Sequence, residues 1–106
     1  MAEFRHVLVR SLVMHYLDHF GYRGPRVRIF TTSSRIRRHR VVVEKDELGS
    51  CTTSEHGQTW IYVKAEEHDT FGQLIDTCAH EALHAARPLL PHGLRFDAEI
   101  AEAVLA

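Results

Sequence analysis

The stretch CAHEALHAARPLLPHGLRF, Cys78 to Phe96, gathers four residues whose types and spacing suit metal chemistry: His80, Glu81, His84 and His92. Two histidines at i and i+4 on a helix stand one turn apart on one face, so both rings can reach a single ion. Two imidazoles leave a zinc site incomplete. A third protein ligand and a position open to water are needed for catalysis. His92 follows Pro88 and Pro91, where the chain is forced to turn and can return over the ion. Glu81 is displaced about 100° from His80 around the helix, so it can reach water beside the metal and take its proton. The competing reading is that these are surface histidines in a chain that has nine.

The elements that must position these groups are legible in outline. Asp69 or Thr70 makes an N-cap, Thr70 and Gln73 a capping box, and Pro88 a far limit, which predicts a helix over 70–87. Its periodicity turns Phe71, Leu74, Ile75, Cys78, Ala82 and Ala85 inward. Gln73, Asp76, Thr77, His80, His84 and Arg87 take the other face, with Glu81 at the margin. Residues 94–105 form a last helix with Phe96, Ile100 and Val104 inward. Phe4, Leu8, Leu12, Tyr16 and Phe20, with Val9, Val13 and Leu17, make an apolar stripe over 3–20, stopped by Gly21 at C′. RVRIF (26–30), RVVVE (40–44) and TWIYVK (59–64) are candidate strands, and DELGSCTTSEHGQ (46–58) is loop or hairpin material. The resulting class is α+β: an N-terminal helix, a small three-stranded sheet, the histidine helix and a short C-terminal helix.

With 106 residues the chain has room for one domain, 1–106, and a modest core to which a bound metal would add stability. No run approaches a membrane span, and Glu3, Arg5, Arg10 and Asp18 break the first helix as a signal peptide. Cys51 and Cys78 form no C-x-x-C pair and read as reduced thiols, so a cytoplasmic setting is expected. The net charge is −1, yet nine arginines fall in residues 1–40 against Glu3 and Asp18. The cluster from Arg23 to Arg40 is either a solvated surface or a contact for nucleic acid such as DNA.

LIDTCAHEALHA followed by HGLRF resembles the SprT-like zinc metallopeptidases, a zincin family that includes DNA–protein crosslink proteases. The resemblance implies that His80, His84 and His92 bind Zn2+ and that Glu81 is the catalytic base. It implies a protein or peptide substrate, among them DNA-associated proteins. Gly93 and Phe96 match the remainder of the family's H-G-x-x-F stretch. GSCTTSEHGQTWIYVK is similar to its substrate-side strand, and LVMHYLDHF to its opening helix. The four-cysteine ribbon of some members has no counterpart here, so the likeness is to a minimal domain of the phage or prophage kind. In related small zincins the third ligand is a carboxylate on the next helix, which makes Glu99 the alternative to His92. The metzincin pattern is excluded by Arg87 and Leu90, where it requires glycine and histidine. Tyr62, His68, Arg87 and Arg95 are candidate oxyanion donors, and Asp76 is a candidate partner for the His80 ring. The alternatives of another class are a nucleic-acid-binding module with a structural zinc, and an inactive metallopeptidase homologue.

Overall fold

The computed structural model describes residues 2–31 and 48–106, with side chains of the first helix from His6 onward. Within these residues three helices and a mixed three-stranded sheet form an α+β unit. Helix α1 spans Ala2–His19 and ends where Gly21 adopts φ 72°, a conformation that costs glycine little. Val9, Val13, Tyr16 and Leu17 are the buried centre of its stripe, with Leu8, Leu12 and Phe20 half-buried beside them. Phe4 falls outside the described side chains.

The sheet is ordered β1-β3-β2, with β1 at Arg28–Phe30, β2 at Gly49–Thr53 and β3 at Thr59–Val63. Strand β3 pairs parallel with β1 (Ile29 opposite Ile61) and antiparallel with β2 (Cys51 opposite Ile61). The third strand is thus GSCTT, part of the segment expected as loop or hairpin. The candidate strand at 40–44 lies outside the described residues. The β2–β3 turn is closed by Ser54, whose backbone N–H donates to Gln58 O at 2.8 Å while its Oγ accepts from the Gln58 N–H at 3.1 Å. Gly57 supplies the positive φ of 82° that this turn needs.

Being central, β3 is buried on both faces. Ile61 and Val63 face the helices, while Tyr62 packs with Phe30 and Trp60 in a separate apolar cluster. A 3₁₀ turn, Ala65–Glu67, leads into helix α2, Phe71–Ala86. Ala79, Ala82 and Cys78 are fully buried in the core that α1, α2 and the sheet share, and side chains this small let the helices approach closely. Phe71 departs from expectation: it is 56% exposed, because the buried stripe of α2 begins one turn later at Leu74. Helix α3, Leu94–Leu105, covers the outer side of α2. Its Phe96 and Ala103 are buried and its Ile100 and Val104 half-buried.

Candidate metal centre

Helix α2 starts as its sequence dictates. Thr70 Oγ1 accepts from the Gln73 N–H at 3.0 Å, and Gln73 Oε1 accepts from the Asp69 N–H at 2.7 Å. Arg87 closes it, its N–H donating to Leu83 O at 2.8 Å ahead of Pro88. This frame puts His80 and His84 on one face, with Nε2 atoms 3.0 Å apart. The loop after Pro88 brings the exposed His92 back, its Nε2 2.8 Å from that of His84. The ligand-capable nitrogens of all three lie within 4.8 Å of one another, so the group can hold a metal ion.

The fully buried Phe96 lies beneath them, its ring 4.7 Å from those of His80 and His84 and 5.1 Å from that of His92. A metal fits this donor set. Four nitrogens placed tetrahedrally at zinc–nitrogen distances stand about 3.3 Å apart, close to the two separations observed. A single N–H on His84 could donate to only one of its two neighbours, whereas a shared cation satisfies all three lone pairs. His80 and His84 are also biased towards the neutral form that ligates. Burial first, then His80 and His92, push His84 down to about 4. Burial and then His92 lower His80, against an opposing effect of Asp97.

These groups form part of a cleft of about 760 Å³ between α2 and β2. Asp76, Thr77, His80 and His84 line one side; Gly49, Ser50 and Cys51 line the other. Glu81 also lines it, yet is only 6% exposed. Its position at the margin of the helix becomes a buried one because β2 lies over it. Cys51 and Cys78 are free thiols, both pushed up to about 12 by burial and then by Glu81. They are protonated at neutral pH, and so are neither nucleophiles nor ready metal ligands.

The four candidate oxyanion donors do not line the cleft. Tyr62 is buried in the cluster with Phe30. His68 is buried and committed: its Nδ1–H donates to Lys64 O at 2.9 Å, and its Nε2 lies 2.8 Å from Thr77 Oγ1. Arg87 donates to Phe20 O at 3.3 Å and pairs with Glu99 at 3.6 Å, tying α1 and α3 to the end of α2. Arg95 is exposed on the first turn of α3. Glu99, the alternative ligand, therefore lies against Arg87 and stands apart from the three-histidine group. Asp76 is in the cleft, but the carboxylate whose charge bears on His80 is Asp97, which helical spacing along α2 could not reveal.

At the β1 edge a second cleft, of about 430 Å³, is lined by Arg10, Arg26, Arg28, Phe30 and Gln58. The Arg28 guanidinium sits 5.6 Å from the centre of the Phe30 ring. Among the described residues none of these three arginines has a carboxylate partner. Arg10, from α1, joins a cluster that sequence spacing had confined to Arg23–Arg40. Arg35, Arg37, Arg38 and Arg40 lie outside the described residues. None of the described helices is long and apolar enough to cross a membrane. Comparison of the chain with family models, with curated proteins and with solved structures gives no match in any of the three.

Proposed function

We propose that this chain is a zinc-dependent metallopeptidase of the SprT-like, zincin kind. One arrangement carries the reading: three imidazole nitrogens converge beside a buried glutamate in a cleft whose far side is strand β2. Zinc bound there supplies a Lewis acid that polarises a carbonyl and acidifies water. His80, His84 and His92 are the residues that would hold the ion. Glu81 accepts the proton of the attacking water and returns it to the departing amine. Among the described residues β2 pairs only with β3, so its outer edge offers backbone N–H and C=O groups to an extended peptide laid along the cleft. Two free, protonated thiols are in keeping with a reducing, cytoplasmic setting.

Substituting Glu81→Gln tests the reading. The amide keeps the side chain's size but cannot take the proton. The variant is expected to retain about one zinc and the parent fold while hydrolysis of casein, or self-cleavage, falls ~10²–10⁴-fold. His80→Ala is expected to lose the metal. Equal metal-dependent cleavage by parent and Glu81→Gln would remove Glu81 from the mechanism, and full metal content in a His80→Ala, His84→Ala double variant would remove the site. A second reading, contact with DNA and hence a substrate among DNA-associated proteins, is favoured by Arg10, Arg26 and Arg28 around the second cleft, which have no carboxylate partner among the described residues.

A further inference from the structure

We infer that Gly49, Thr77 and His68 form a seat that positions the Glu81 carboxylate; the consequence for catalysis rests on the metallopeptidase reading. A Cβ placed on Gly49 would lie 2.9 Å from Glu81 Oε2, 2.9 Å from Thr77 Cγ2 and 3.0 Å from Tyr62 O. All three are well inside ordinary van der Waals separations of about 3.5–4.0 Å. Gly49 has no positive φ, so it is lack of volume and not backbone freedom that fits glycine here.

The three obstacles differ in how far they can give. Glu81 Oε2 is the far end of a long side chain, the most yielding of the three in kind. Tyr62 O belongs to the backbone of the central strand, in a ladder where Gly49 pairs with Val63, and it is fixed. The Thr77 methyl is fixed as well. Thr77 Oγ1 lies 3.1 Å from Gln73 O and 2.8 Å from Nε2 of the buried His68, two acceptors that share its single proton once the His68 Nδ1–H is donated to Lys64 O. Turning the methyl away from Gly49 would break both contacts of the hydroxyl. Only Glu81 or the whole of β2 can yield, and either movement changes the distance between the base and the cleft. The absent side chain at position 49 is therefore what allows β2 to close over α2 while Glu81 keeps its buried pose. His68, which resembles a cleft residue in sequence, acts through Thr77.

The test compares Gly49→Ala in the parent, in Thr77→Ser, which removes the methyl and keeps the hydroxyl, and in Glu81→Ala. Chemical denaturation of the metal-free proteins should show Gly49→Ala lowering the folding constant by ~10-fold or more in the parent, and by less than ~3-fold in either relieved background, since coupling marks residues in contact. In the zinc-loaded proteins, chelator competition should give metal affinities within ~3-fold of the parent. The kcat of Gly49→Ala should fall ~10–10²-fold with KM little changed, and adding Thr77→Ser should restore most of it, because a displacement of about 1 Å is enough for such losses. An equal penalty in all three backgrounds, or a parent-like kcat in Gly49→Ala, overturns the seat. If Gly49→Ala alone does not fold, the Gly49→Ala, Thr77→Ser pair decides: a folded pair supports the inference and an unfolded one overturns it. Absence of metal-dependent hydrolysis in the parent would count against the metallopeptidase reading, and the seat would then stand or fall on the folding couplings alone.

Discussion

Cys51 and Cys78 separate two chemistries that a cleft with both histidine and cysteine could support. Both thiols are held protonated, by burial first and by Glu81 second, at about 12. An acid whose pKa is raised on folding contributes stability at pH below its unfolded value, and that stability is lost as pH rises through the folded one. The window here is roughly pH 9 to 12. At pH 8 the thiolate fraction is about a thousandfold below that of an ordinary thiol, so alkylation by iodoacetamide should be slow until the chain unfolds. The metal content should not change on prolonged treatment. Rapid modification of Cys51 in the folded protein, with loss of metal, would show a thiolate in the cleft and shift the ligand set away from three histidines. The histidines themselves were legible as residues: H-E-x-x-H on one helix face, and a third after a forced turn. What spacing could not reveal was direction. His68 and Tyr62 look like donors on paper, and only the packing of β3 and the 3₁₀ turn sends one to Thr77 and the other into an apolar cluster.

Between elements, the centre joins α2 to the start of α3. His80 and His84 come from α2 and His92 from the loop between the helices, with Phe96 on the first turn of α3 packed beneath all three. A cation shared among them binds only the folded arrangement, so it stabilises the fold by mass action, by about 2.7 kcal/mol when free metal stands at a hundred times its Kd. Chelation should therefore lower the melting temperature and speed amide exchange in α3 first, with α1 and β3 least affected. A melting temperature unmoved by chelator would mean that the histidines do not join the two helices through a metal. Helix α2 could be read closely from Thr70, Gln73 and Pro88, because caps and breakers act locally. Strand β2 could not. Gly49, Ser50 and Cys51 have little intrinsic preference for a strand, and they adopt one because β3 supplies the partner through the Ser54–Gln58 turn. The same tertiary event buries Glu81, which helical phase alone leaves at a margin.

Over the whole molecule, charge is the least even property. A chain of net charge −1 carries nine of its thirteen basic residues before position 41. Three of those arginines surround the β1-edge cleft, while the histidine cleft borders β2 at the other edge of the sheet. A polyanion held at the first would leave the second open to a peptide, which is the geometry expected of a hydrolase acting on proteins that are themselves bound to DNA. If Arg10, Arg26 and Arg28 each neutralise one phosphate, the logarithm of affinity should fall against the logarithm of salt with a slope of about −2.7, or roughly 40-fold for a fourfold rise in salt. Replacing one of the three with alanine should weaken binding to all sequences alike and reduce the slope by about one, because phosphate contacts carry no sequence information. Phe30 is buried beneath Arg28 and offers no face for a base, so single strands and duplex should bind through their phosphates alone. Anisotropy titrations with a labelled oligonucleotide at several salt concentrations measure both the slope and its change on substitution. Affinity that is absent at low salt, or that survives replacement of all three arginines with its slope unchanged, would reduce this face to a solvated surface and leave the metal centre without a nucleic-acid partner.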